Sequence, residues 1–172
     1  MRDRHGPRSR AVLVGHSYGG YAALEVAQHW PDAVAGLVLI STQSRADTPG
    51  ARERRRRQAQ QLRAEGLDAV FERILPNLLA GASAGDGAIL ESVRAMSRSV
   101  GAEVFERQIL ACAGRADHRS TLQHLPWEIP VLLVTGKEDN ITPPRCLREM
   151  KDLLSLREAS FRAQAVAEAC PE

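Results

Sequence analysis

The stretch Val12-Leu13-Val14-Gly15-His16-Ser17-Tyr18-Gly19-Gly20 decides how the rest of the chain is read. Residues 11–14 are a short, fully apolar run that ends at Gly15, as expected of a strand buried in a parallel sheet. Residues 21–29 then present Ala22, Leu24, Val26 and Ala27 as the apolar surface of a helix. Pro31 stops that helix, because the residue before a proline is pushed out of the α region. Residues 36–40 are a second apolar strand, closed by the polar loop Ser41-Thr42-Gln43-Ser44. Strand, tight turn, helix and strand make a βαβ unit, which demands a parallel sheet.

The turn between the first strand and the helix has the pattern G-x-S-x-G, with Gly15, His16, Ser17, Tyr18 and Gly19 followed by a further Gly20. A serine on so sharp a turn stands proud of the sheet edge on a strained backbone, and its neighbours two residues away must be small, which accounts for Gly15 and Gly19. The amide of Tyr18 is then placed to meet a developing oxyanion, helped by the positive end of the helix. An ordinary glycine-rich turn explains the glycines but not the serine between them. Ser17 is therefore read as a nucleophile.

Outward from this unit the pattern changes. Residues 51–65 are charged and helical, and Leu67, Val70, Phe71, Ile74, Leu75 and Leu78 form an amphipathic stretch broken by Pro76. Residues 81–87 (GASAGDG) read as a flexible connector, and 88–100 and 102–113 as two more helices. The alternation resumes at Pro130, with a third apolar strand over 131–135, a loop over 136–142, and a helix capped by Thr142 with Pro143 at its first position. Leu147, Met150 and Leu154 continue that helix on one face. The organisation is α/β with an inserted helical cap: residues 1–44 carry the nucleophile part of the core, 45–125 the cap, and 126–172 the last core strand, its loop and a C-terminal helix.

Composition narrows the function. With 172 residues, 44% hydrophobic and 26% charged, the chain suits one domain or one domain with an appendage. Its formal charge of +2 supplies no general attraction to nucleic acid or membrane surfaces. Cys112, Cys146 and Cys170 are odd in number and far apart, which argues for a reducing compartment and against a disulfide framework, and none has metal-ligand spacing. The run at 11–14 is too short for a signal-peptide core or a membrane span, so the expected location is the cytoplasm. The run Arg52-Glu53-Arg54-Arg55-Arg56-Arg57 sits on a helix, where it spreads over all faces, and lacks interleaved aromatics for base stacking. It reads as a solvated cap helix rather than a nucleic-acid site; if it met an anion, it would screen for acidic substrates at the cap mouth.

VLVGHSYGG, the strand AGLVLIST, the helical cap and IPVLLVTGKEDNITPP resemble, in that order, the α/β-hydrolase superfamily in its ester- and lactone-hydrolase branch. The resemblance covers about residues 10–150. It implies a partial α/β-hydrolase fold and a Ser–acid–His triad in that chain order. The acid it implies is Asp139, in Gly136-Lys137-Glu138-Asp139 ahead of Pro143-Pro144, with Glu138 turned to solvent. The implied cycle is attack of Ser17 on an ester or lactone carbonyl, an acyl-enzyme, and hydrolysis by water, with no metal or organic cofactor. The expected partner is a small hydrophobic ester or lactone, with Leu67, Phe71, Ile74, Leu78 and Met96 suggesting an apolar pocket. Carbon–carbon bond hydrolases and haloperoxidase-like members share the same turn, so reaction type within the family stays open.

The histidine of the triad should follow Asp139, yet the five histidines are His5, His16, His29, His118 and His124. His16 is expected to pack beneath the turn, His29 to meet the last carbonyls of its helix, and His118 and His124 to be exposed. Only ten residues precede Ala11, which implies missing upstream strands, a missing second oxyanion donor and unpaired sheet edges. The expectation is a truncated or frameshifted reading of a hydrolase gene. Loss of the base lowers turnover by about six orders of magnitude, and loss of one oxyanion donor by roughly a further hundredfold. Near-inactivity is thus expected, and the rival reading is a non-catalytic, hydrolase-derived binding or interaction module.

Overall fold

A computed structural model of the chain describes residues 9–156. His5, Cys170 and the stretch from 157 onward lie outside the described residues. Three parallel strands, β1 (Ala11–His16), β2 (Val34–Ile40) and β3 (Val131–Val134), form one sheet in the order β1-β2-β3. Leu13 pairs with Leu37, and Leu39 with Leu133. Between β1 and β2 runs α1 (Tyr18–His29), followed by a 3₁₀ turn at Pro31–Ala33 where proline sets the first dihedral. The second strand begins at Val34, two residues earlier than Gly36.

Alternation along the strands decides where the core sits. Leu37 and Leu39 of β2 and Val131 and Leu133 of β3 point to one face, where they pack with Leu24 and Ala27 of α1 and with Met150 and Leu154 of α7 (Pro144–Ser155). Burying each such side chain contributes about 1.5–3 kcal/mol. On β1 the opposite parity is open: Val12 and Val14 are 60% and 68% exposed.

The segment between β2 and β3 is helical. It comprises α2 (Pro49–Glu65), α3 (Leu67–Ile74), two 3₁₀ turns at Leu75–Asn77 and Gly81–Gly85, α4 (Gly87–Val100), α5 (Ala102–Gly114) and α6 (Arg119–His124). Thr48 and Asp86 cap α2 and α4 through their side-chain oxygens, and Pro49 opens α2 at its first position. Gly66 and Gly101 take φ of 86° and 77° at the two helix-to-helix joints, a region that costs other residues strain. Helices α2, α3 and α5 have a small core of their own around Ala59, Leu62, Val70 and Ile109. Leu122 of α6 and the following Leu125 are buried in the core under the sheet, so packing hands the chain back to the sheet layer before residue 125.

Two joints tie the helical layer to the sheet layer. Arg115, at the end of α5, is buried. It pairs with Asp47 at 2.8 Å, donates to the Arg45 carbonyl at 3.0 Å and lies 4.3 Å over the Tyr21 ring. His118 is also buried, which corrects the expectation that it is exposed. Its amide donates to the Ser44 carbonyl at 2.7 Å, and its Nε2 lies 3.0 Å from Glu25 on α1. The sequence ahead of β3 has no apolar periodicity long enough to announce α6, and therefore none to announce the burial of the His118 that precedes it.

Candidate active site

Ser17 sits between the last residue of β1 and the first of α1, at φ 50° and ψ −111°. A non-glycine residue in this left-handed region stores backbone strain on the order of 1–3 kcal/mol. The surroundings hold it there. Its amide donates to the Ile40 carbonyl at 2.8 Å, and its carbonyl accepts from Thr42 Oγ1 and from the Gly20 amide, each at 3.0 Å. A β-carbon at Gly15 would strike the Gly19 carbonyl, and one at Gly20 would lie 2.6 Å from Thr42 Oγ1. At Gly19, by contrast, a β-carbon meets nothing within 4 Å among the described residues. The steric demand therefore falls on Gly15 and Gly20, correcting the pairing of Gly15 with Gly19. The reason is that α1 approaches Thr42, in the loop after β2, at Gly20, a long-range contact that local spacing does not carry. Tyr18 opens α1, so its amide has no acceptor within the helix.

Beside Ser17, at the end of the neighbouring strand, Ser41 also has a positive φ, 44°. Its amide donates to the Val134 carbonyl at 2.8 Å, and its hydroxyl bonds to Asp139. Asp139 lies in the loop that follows β3. Its Oδ1 accepts from the amides of Ile141 and Thr142 at 2.9 and 2.8 Å, and its Oδ2 accepts from the Thr142 hydroxyl at 2.8 Å. Burial pushes this carboxyl up, but the bonds from Thr142, Ser41 and Ile141 outweigh burial and hold it below the ordinary aspartate value. Asp139 is thus kept as a fixed carboxylate. Because Thr142 is engaged here, Pro143 rather than Thr142 takes the capping position of α7, and Pro144 is the first helical residue.

Ser17, Ser41 and Asp139 line one cavity of about 560 Å³. His16 lines it too and is exposed, which corrects the expectation that it packs beneath the turn: its side chain leaves the strand on the open face. Glu138 faces the same cavity, and its Oε2 is 3.7 Å from where a β-carbon at Gly81 would stand. The opposite wall is residues 77–81 with Ser83. The stretch read as a flexible connector therefore supplies part of the site.

Of the five residues expected to form an apolar pocket, only Leu78 lines this cavity. Phe71 is buried edge-on against Phe105 at 6.3 Å, Leu67 packs on the small core of α2, α3 and α5, Ile74 lies off the cavity, and Met96 is 67% exposed. Amphipathic periodicity marks a face that seeks apolar cover, and for α3 that cover is α2 and α5. Ser41 and Thr142 are the site residues that the sequence reading passed over. Their only sequence signal is a serine directly after β2, aligned with Ser17 after β1, and a threonine three residues beyond the acid.

The remaining described histidines lie away from this cavity. His29 pairs with Glu25 at 3.3 Å, His118 is occupied as above, and His124 Nδ1 bonds to the Ser120 carbonyl at 2.8 Å. The described residues contain no group of three or more histidine, cysteine, aspartate or glutamate side chains arranged to hold a metal, and no helix long and apolar enough to cross a membrane.

The parallel sheet with helices around it and the sharp strand-to-helix turn at Ser17 agree with one family pattern. The sequence pattern of the alpha/beta hydrolase fold matches residues 1–164. The chain is an α/β-hydrolase.

Among its relatives, this α/β-hydrolase is 25% identical over 160 residues to a pimeloyl-[acyl-carrier protein] methyl ester esterase of Vibrio cholerae, covering 90% of this chain and 62% of that one. It is 32% identical to a thermophilic esterase from Thermogutta terrifontis, determined with malate bound, at a TM-score of 0.78 over 91% of this chain and 57% of that one. It also shares its fold with an enol-lactonase from Burkholderia xenovorans, at 22% identity and a TM-score of 0.65, covering 87% of this chain and 56% of that one. The chain thus spans about three fifths of the length of these relatives.

Proposed function

We propose that this α/β-hydrolase acts on a carboxylic ester or lactone, with Ser17 as nucleophile, the Tyr18 amide as oxyanion donor and Asp139 as triad acid. The observation that carries the reading is the strained Ser17 backbone facing the same cavity as the hydrogen-bonded Asp139 carboxylate. The esterase relatives support the ester over other acyl compounds. In the proposed cycle the Ser17 hydroxyl oxygen attacks the carbonyl carbon and the oxyanion meets the Tyr18 amide. The alkoxide leaves with a proton, and water then cleaves the acyl-serine. Each proton transfer needs a base oriented by Asp139, and no described histidine stands between it and Ser17. Turnover by these 172 residues is accordingly proposed to be negligible, with the cavity still able to hold an ester. A cytoplasmic location belongs to the same proposal, supported by the unpaired thiols of Cys112 and Cys146.

The same gap between Ser17 and Asp139 favours a second reading, a hydrolase-derived module that binds such a ligand without turning it over. The deciding experiment incubates the purified chain with p-nitrophenyl butyrate and, separately, with a fluorophosphonate probe, alongside Ser17→Ala. Slow ester release that vanishes in Ser17→Ala supports the enzyme. Ester binding with no release and no labelling supports the module. Release unaffected by Ser17→Ala sinks the assignment of the nucleophile.

A further inference from the structure

A second concavity, a groove of about 990 Å³, runs between the start of α2 and the outer side of α7. The half-exposed Ile141 lines both this groove and the Ser17 cavity, so the two lie side by side with that one side chain between them. Five arginines and three carboxylates line the groove. Two of the arginines are already in ion pairs: Arg45 with Glu149 at 2.6 Å, and Arg115 with Asp47 at 2.8 Å. Arg54 from α2 and Arg145 and Arg148 from α7 make no ion pair among the described residues, and all three are exposed. Only Asp152 remains to oppose them.

Three guanidinium groups with no ion pair among the described residues, from two elements some ninety positions apart, thus share one groove. Arginines on a solvated helix normally spread around it or pair with carboxylates at helical spacing. Neighbouring Arg57 does so, lying 3.6 Å from Glu53. Concentrated cations beside low-dielectric walls focus potential into a cleft, and the planar fork of arginine matches the oxygens of carboxylate or phosphate.

We propose that this groove binds a carboxylate or phosphate group, and that the group is the anionic end of the ester or lactone whose carbonyl reaches Ser17. The second half of the proposal rests on the hydrolase reading above. The ligand is then a bifunctional molecule, apolar where it passes Ile141 and Leu78 and charged at its far end.

The test measures equilibrium binding to the full chain carrying Ser17→Ala, so that no ligand is consumed. The probes are monomethyl glutarate, its neutral dimethyl ester and inorganic phosphate. The monoanionic ester is expected to bind about tenfold tighter than the neutral one at low salt, with the preference shrinking as ionic strength rises. Arg145→Gln with Arg148→Gln should abolish the preference while leaving the neutral ester unchanged, and Asp152→Asn should increase it. All three positions are exposed, so folding is retained. Equal binding of the two esters, or a preference that survives the arginine changes, overturns the anion site and leaves the hydrolase reading standing. Arginine-dependent phosphate binding with neither ester bound does the reverse: it keeps the groove and removes the ester from the Ser17 cavity.

Discussion

At the scale of single residues, the strand-to-helix turn separates two glycines that look alike in the sequence. Gly15 is closed in by backbone, whereas Gly19 faces open space on α1. Gly15→Ala is expected to cost about 1–3 kcal/mol through forced displacement of α1. Gly19→Ala is expected to be neutral or stabilising by up to about 1 kcal/mol, since alanine is the better helix former. Urea midpoints of the two variants check this, and a Gly15→Ala protein as stable as the parent would refute the packing account. The places of Ser17 at a strand-to-helix turn and of Asp139 in the loop after β3 could be read from the sequence because each sits in a short local pattern. Ser41 and Thr142 could not, since their roles come from hydrogen bonds to Asp139 that form only when β2 and β3 lie side by side.

At the scale of elements, the strands and most helices announce themselves through period and punctuation, as β1, α1 and the proline after it show. The short α6 does not, and the buried His118 at its start lies between α1 and the loop after β2. Burial lowers the affinity of this imidazole for a proton, while Glu25 and Asp117 oppose that effect and His29 adds to it. Its folded value therefore lies below the ordinary imidazole value, whereas the unfolded chain titrates near that value, about 6.5. The resulting stability is complete above that pH and is lost as pH falls through it toward the folded value. Chemical denaturation between pH 7.5 and 5 should show a declining midpoint, and His118→Gln should flatten that decline. An unchanged slope in the variant would remove His118 as its source.

At the scale of the whole molecule, β1 pairs on one side only among the described residues, and Val12 and Val14 present apolar surface at that edge. Such an edge invites pairing with other chains, and a lysine on it discourages association without touching the buried face. Val14→Lys is predicted to lower light scattering at high protein concentration while leaving the unfolding midpoint within about 0.5 kcal/mol. Scattering that does not change would place the sticky surface elsewhere. The division of the Ser17 cavity between layers has an evolutionary consequence. Ser17, Ser41 and Asp139 come from turns and loops that follow the three strands, whereas the other lining comes from residues 77–81 with Ser83. A lineage could exchange that stretch wholesale and acquire a new ligand while inheriting its chemistry intact. Grafting the equivalent segment of a relative into this chain would turn that history into a laboratory operation.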